Sequence, residues 1–323
     1  MFQKFISGSD IKFLSYRKIA LAVSVIFMLI SIGLFAVKGL NYGIDFKGGI
    51  TIEIGTPNTV PIAKVRATLA ALNLGDVKVQ EYGRPTEALI RIERQPGGDA
   101  AQKNAIDAVQ IALDTAIEDI TYRQENVVGP VVSEELKTDG VLSVTVAIFA
   151  VLIYIWFRFE WQFGLGAVFA LVHDVVLTIG FFSFTELEFN LSIIAALLTI
   201  VGYSLNDTVV VYDRVRENIR KFRKKPMEDV LNLSLNQTLT RTIMTSVTTL
   251  LALLALFFYG GQVIQGFADA MIWGVLIGTY SSIFVASPVL MMFNLRSEDL
   301  IIDDPHENDP TVDKASRPGM FEQ

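Results

Sequence analysis

Six runs of about 20 apolar residues, at 19–37, 141–157, 163–184, 189–212, 242–258 and 267–293, dominate the sequence. Each is long enough to cross a bilayer core of roughly 30 Å as a helix. Backbone groups in lipid must satisfy one another, so such runs fold as helices rather than as open strands. The runs explain a composition of 51% hydrophobic and only 19% charged residues, where soluble domains carry about 25% charged. Mean hydropathy is +0.44. The fold class read from these features is a polytopic α-helical membrane protein with six transmembrane helices and one extracytoplasmic domain between the first two.

The remaining composition excludes several functions. Lys+Arg 27 against Asp+Glu 34 leaves a net charge of −7, which repels nucleic acid. No cysteine and two histidines leave no thiolate nucleophile, no disulfide and little to hold zinc. No metal and no organic cofactor are expected, and the chain does not read as an enzyme.

Basic residues set the orientation. Lys4, Lys12, Arg17 and Lys18 precede the first run, and eight Lys/Arg fall in 213–241, whereas 185–188 and 259–266 hold none. The positive-inside rule then puts both termini in the cytoplasm. The chain divides into a cytoplasmic N-terminus (1–18), a first helix (19–38), a periplasmic domain (39–140), and a five-helix bundle (141–295) with a basic cytoplasmic loop (213–241). An acidic, disordered cytoplasmic tail (296–323) follows, with eight Asp/Glu against three Lys/Arg. The first run resembles a signal peptide in its basic start, but its length and the lack of an A-x-A site favour an uncleaved anchor.

Within 39–140 the hydrophobic period switches repeatedly. Residues 50–56, 77–82, 88–93 and 120–128 alternate as strands do, while 61–72 and 99–118 follow a helical period. The order β-α-β-β-α-β is ferredoxin-like, with Gly83-Arg84-Pro85 as the central turn. Two helices would cover one sheet face. The other face is either part of a plain cap or a surface for substrate.

An ionised carboxylate at mid-bilayer costs about 2.5–3.5 kcal/mol on insertion scales, so Asp174 in the third run and Asp207 in the fourth need a reason. Helical spacing places Tyr203 and Ser204 on the Asp207 face, with Asn206 beside it. Arg241 opens the fifth run, and Thr245 continues its face. If the fourth and fifth helices are antiparallel neighbours, Arg241 either meets Asp207 and modulates its charge or extends to the cytoplasmic interface. His173 and Asp174 are adjacent and so point about 100° apart, which favours a histidine bonded to another helix over a relay. Ala270, Gly274, Gly278, Ser282 and Ala286 form a small-residue stripe suited to close packing against a backbone of this chain or another. Six helices with one cap make half of the plan of many transporters.

Several stretches together resemble the SecF family, the smaller membrane subunits of bacterial SecD–SecF protein-export complexes within the resistance-nodulation-division superfamily. They are NYGIDFKGG (41–49), VGPVVSEEL (128–136), HDV (173–175), GYSLNDTVVVYDRVREN (202–218), NQTLTRTIMTSVTT (236–249) and GTYSSIFVASP (278–288). They occur in the family's order from about Lys18 to Leu295. The resemblance implies a SecD partner, association with the SecYEG translocase and YajC, and use of the proton gradient at the inner membrane to assist export of unfolded polypeptide. Protons would be the coupling ion, and Asp207, Arg241 and Thr245 match the family's proton-path positions. Tyr203, Ser204 and Asn206, from their place around Asp207, and Asp174 are candidate polar support, and the resemblance assigns Asp174 no firm role. Some relatives fuse both halves in one chain, so six spans here imply a separate partner.

Two rivals stand beside this. An intramembrane aspartyl protease would pair Asp174 with Asp207, but 204–207 reads SLND rather than GxGD. A small-molecule or lipid exporter of the same superfamily would require a larger outside domain than about 100 residues.

Overall fold

The computed structural model describes residues 11–292. The leader through position 10, the tail expected at 296–323 and the last residue of the sixth run lie outside the described residues. A 3₁₀ turn at Phe13–Tyr16 leads into α1 (Arg17–Lys38), and a helical turn at Ile44–Lys47 precedes the extramembrane domain. The domain runs β1 (Gly49–Gly55), α2 (Ile62–Ala70), β2 (Val77–Tyr82), β3 (Arg84–Ile92), α3 (Gly98–Ala116) and β4 (Thr121–Val128). The bundle continues with α4 (Pro130–Arg158), α5 (Trp161–Thr185), α6 (Leu191–Lys221), α7 (Met227–Tyr259) and α8 (Gln262–Ser281). A π-helical segment (Ser282–Ala286) then passes into α9 (Ser287–Met292). Six of these helical stretches are long and apolar enough to cross a membrane, and the chain is a multi-pass membrane protein.

The helices outrun their apolar cores because polar ends can stay helical in water. Pro130 starts α4 at the first helical position, where its missing N–H costs nothing. The side chain of Asn190 caps α6 by accepting from the Ser192 amide. The stretch 213–241, expected as a loop, is helical except for 222–226, since α6 extends to Lys221 and α7 opens at Met227 with Glu228 and Asp229 in its first turn.

The sheet is antiparallel in the order β2-β3-β1-β4, and the strand and helix order is that read from the sequence. Its central turn is tighter than expected: Tyr82 pairs with Arg84 across Gly83, whose φ is +78°. Ile50, Ile52 and Ile54 alternate onto one face and pack with Ile90, Val65, Leu69, Val109 and Leu113 beneath the two helices. The other face carries Thr51, Glu53, Gln80 and Arg91 and overlies the bundle across a polar cleft of about 790 Å³.

The domain is seamed to the bundle at the α5–α6 turn. The Gly43 amide donates to Phe189 O at 2.9 Å, and the Phe189 amide to Asn41 O at 2.8 Å. The Leu191 amide at the start of α6 donates to Asp45 Oδ2 at 2.9 Å. Glu188 pairs with Arg91 of β3, and a Cβ on Gly43 would meet Glu188 Oε1 at 2.5 Å. Gly48 and Gly49 turn the chain into β1 with φ of +71° and +134°.

Gly49→Ala should destabilise the domain by about 1–3 kcal/mol from backbone strain, because its Cβ would also lie 2.6 Å from Ile92 O. Gly33→Ala, with nothing within 4 Å, should leave the apparent melting temperature unchanged or raised. Burial pushes the Glu188 carboxyl above the ordinary glutamate range, more strongly than neighbouring Arg91 pulls it down. The folded form then holds that proton more tightly than the unfolded chain, so stability falls as pH rises from the ordinary value of 4.5 through the raised one. Melting curves of the parent against Glu188→Gln should diverge across that window in the variant's favour and run parallel outside it.

Candidate functional site

Two buried carboxylates occupy the bundle, and hydroxyl groups from other helices hold each one. Asp207 of α6 is 8% exposed. Its Oδ1 accepts from Thr242 Oγ1 of α7 at 2.7 Å, and its Oδ2 from Ser282 Oγ of the π segment, also at 2.7 Å. Asp174 of α5 is 1% exposed. Its Oδ2 accepts from Ser204 Oγ of α6 at 2.5 Å and Ser281 Oγ of α8 at 2.8 Å, and its Oδ1 lies 2.9 Å from His173 Nδ1. Hydrogen bonds to a charged acceptor are the strong ones, and these two sets join α5, α6, α7 and the last span at mid-bundle.

Small residues permit the approach. A Cβ on Gly274 would sit 2.3 Å from Ile200, and one on Gly278 would sit 3.2 Å from Ser204 Cβ. The stripe Ala270, Gly274, Gly278, Ser282 and Ala286 therefore packs against α6 of this chain at those glycines, and Ala270 and Ala286 are fully buried. Gly166 is the notch for Tyr212, whose hydroxyl donates to Ala286 O at 3.1 Å.

The expected set around Asp207 is rearranged. No ion pair within 4.0 Å joins Arg241 to Asp207 among the described residues; Arg241 is exposed and lines an open cleft with Asp213, Arg214 and Glu217. The reason is helical: Thr242 takes the inward position, and its neighbour points about 100° away. Thr245 is also exposed, and its hydroxyl bonds back to Arg241 O and Thr242 O at 3.0 and 2.9 Å. Ser204 serves Asp174 instead of Asp207, Tyr203 Oη bonds Ser246 Oγ at 3.3 Å, and Asn206 is exposed. His173 bonds its own neighbour rather than another helix. Adjacent positions can both point inward here because α5 is buried over much of its circumference, and the ring stacks on Tyr280 at 6.0 Å.

Thr242, Ser281 and Tyr280 were not singled out in the sequence, and Ser282 only as a small residue of the packing stripe. The available signal was the adjacent Ser281-Ser282 pair inside an apolar run, two hydroxyls that need partners in lipid. The two carboxylates occupy separate hydrogen-bond sets and do not share a proton with each other, unlike an aspartyl dyad.

The model described as "Protein export membrane protein SecD/SecF, C-terminal" matches residues 108–296, and that of the "SecD/SecF GG Motif" matches 33–56, the segment of the seam and of Gly48 and Gly49. The chain belongs to the SecD/SecF family. Protein translocase subunit SecF of Rickettsia felis is 43% identical over 291 residues, covering 89% of this chain and 93% of that one. SecF of Rhodobacter capsulatus is 44% identical, over 89% and 90% respectively. The crystal structure of SecDF from Thermus thermophilus, a translocon-associated membrane protein, is 36% identical with a TM-score of 0.80. That match covers 89% of this family member but only 39% of the SecDF chain. SecDF in a super-membrane-facing form is 35% identical with a TM-score of 0.65, over 87% of this chain and 38% of that one.

Thr242→Val removes a donor to a buried carboxylate and should cost about 1.5–3 kcal/mol. Thr245→Val, exposed and bonded only to its own helix, should stay within about 0.5 kcal/mol. Unfolding of both variants in detergent reads the difference, and equal costs would contradict the assignment of Thr242 as the Asp207 partner.

Proposed function

We propose that this chain is the SecF-type half of a SecD–SecF pair in the bacterial inner membrane, using inward proton movement to assist SecYEG, with YajC, in exporting unfolded polypeptide. It acts without metal, organic cofactor or chemical catalysis; the proton is the coupling ion. The observation that carries this reading is Asp207, a nearly buried carboxylate whose two oxygens are held by hydroxyls from two different helices. In its charged form the carboxylate attracts both donors and draws α7 and the last span onto α6. A proton on either oxygen cancels that charge and converts the acceptor into a donor, which loosens the three-helix clasp.

Arg241 supports the reading from a different position than the sequence suggested. It stands one residue from Thr242 on an exposed face that also carries Thr245, and α6 exposes Gly202 and Asn206. These polar or small positions fit contact with a second transporter half, the SecD side, rather than with lipid. The long apolar faces of α1 and α4 remain exposed and suit membrane lipids. Arg214, Arg216, Arg220, Lys221, Lys224 and Lys225 gather at the end of α6 and its turn, away from the domain, and support cytoplasmic termini with a periplasmic domain.

Transmission to the domain need not pass only through α1 and α4, because α6 carries Asp207 and, at its outer end, the Leu191–Asp45 bond of the seam. The unequal fit to the two SecDF structures, at near-equal identity and coverage, supports an architecture that changes shape.

Asp207→Asn should fold, should co-purify with SecD, and should lose the proton-dependent part of export in inverted vesicles while keeping the part that proceeds without a proton gradient. Full proton-stimulated export by a folded, SecD-bound Asp207→Asn would remove Asp207 from the mechanism.

A further inference from the structure

We propose that His173 and Asp174 form a second proton-holding site of the bundle, coupled to Asp207 through the adjacent hydroxyls of Ser281 and Ser282. This rests on the reading that the bundle carries protons, and assigns that role to a pair outside the Asp207 clasp.

The first observation is an unpartnered atom. His173 and Asp174 are each 1% exposed. With the ring's Nδ1–H given to Asp174 Oδ1, the buried Nε2 has no hydrogen-bond partner in this structure. A buried polar atom without a partner calls for an explanation, and a vacant lone pair beside a carboxylate is a place for a proton. One proton adds to Nε2, forming an N–H bond and breaking none. The carboxylate 2.9 Å from Nδ1 supplies the opposite charge that an imidazolium needs in an apolar interior. The unit passes from −1 to neutral, and on discharge the same proton leaves from the same atom.

Among the described residues, Asp207 is the charged group placed closest to this pair along the elements packed on it. From α6 the pair meets Ser204 and, one helical turn on, Asp207. From the last span it meets Tyr280 and Ser281, and Tyr280 in turn bonds Ala20 O and Ser24 of α1. The apolar stretches of α1 and α4, and all of α9, contain no charged side chain, and Arg158 at the end of α4 is engaged by Asp213. Asp269 of α8 lies about three turns away, lining the cleft beneath the sheet.

The second observation is that both serines have a choice. Ser281 Oγ stands 2.8 Å from Asp174 Oδ2 and 3.1 Å from Gly278 O. Ser282 Oγ stands 2.7 Å from Asp207 Oδ2 and 3.0 Å from Thr279 O. Each hydroxyl has one proton, so it serves the acid or its own helix. A charged acid claims the hydroxyl; a neutralised one releases it to the backbone. The two serines are consecutive at the entry to the π segment (Ser282–Ala286), a type of distortion common at functional sites. A change in the donor of one acid therefore acts on the backbone that positions the donor of the other.

The test uses the full chain with its SecD partner in lipid nanodiscs. Only two histidines exist, His173 and His306, so nitrogen-15 magnetic resonance of labelled histidine in a His306→Gln background reads His173 alone. The expected result is a reversible change at His173 Nε2 from bare to protonated nitrogen between alkaline and acidic pH. It should persist in Asp207→Asn and disappear in Asp174→Asn, and its loss in Asp174→Asn should shift the Asp207 carboxyl band in difference infrared spectra. Ser281→Ala should keep both protonation events and remove that coupling. A His173 nitrogen that stays in one state across the pH range in the folded parent overturns the proposal, as does loss of every buried titration in Asp207→Asn. The parent spectrum decides even if Asp174→Asn fails to fold. A silent His173 leaves the export defect of Asp207→Asn standing, while normal export by Asp207→Asn leaves the His173 signal standing, so the two readings fail separately.

Discussion

A carboxylate in an apolar bundle is tolerable only while its oxygens are occupied, and here that requirement fixes how four helices sit. Asp207 needs Thr242 and Ser282, and Asp174 needs Ser204 and Ser281. Those hydroxyls are short, so the helices bearing them must come close, which Gly274 and Gly278 allow by yielding their side-chain space to Ile200 and Ser204. Steric smallness on one helix thus makes possible the electrostatics on its neighbour. An enlarged side chain in the stripe would strand buried acids as well as misfit a groove.

The extramembrane domain shows the same economy of contact. Its hydrophobic face is closed by its own helices, with Ile50, Ile52 and Ile54 fully buried. Its polar face is turned toward the bundle across a cleft of about 790 Å³ rather than pressed against it. Attachment runs through a narrow band in which backbone bonds join Asn41 and Gly43 to Phe189, Asp45 holds the Leu191 amide, Arg91 pairs with Glu188, and Tyr42 and Phe46 pack on Phe189. A matched pair of hydrophobic surfaces would have fixed the domain more firmly. A polar gap with a backbone hinge line leaves its angle to be set by a few bonds.

Much of this was legible in the sequence because it rests on periodicity. Bilayer length marked the six spans, alternation marked the four strands to within a residue except at the start of β3, which begins at Arg84 rather than 88, and the two carboxylates stood out by cost alone. Of the basic loop 213–241 only Asp213 to Glu217 were legible as a helix extension, because hydropathy reports where lipid ends, whereas α6 continues on polar residues to Lys221 and α7 opens at Met227. The partners of Asp207 were misread for a different reason. Spacing along one helix ranks faces but cannot say which of two neighbours on another helix, Arg241 or Thr242, takes the inward position. His173 bonded the residue beside it because both sides of α5 are covered, a fact of tertiary packing invisible in a 100° step. Ser281 was hidden by ordinariness and Ser282 was visible only as a small residue of the stripe, since serines are common in spans and only the acids opposite them give them their role as donors.

The unbroken length of α6 has a mechanical consequence. From Leu191 to Asp207 is 16 residues, about 24 Å of continuous rod, with the acid at one end and the seam at the other. A tilt of about 5° about the level of Asp207 displaces that tip by about 2 Å, enough to break a hydrogen bond of ordinary length. The rod thus acts as a lever arm that magnifies an angular adjustment too small to disturb the packing at its pivot into a displacement the distant sheet can register.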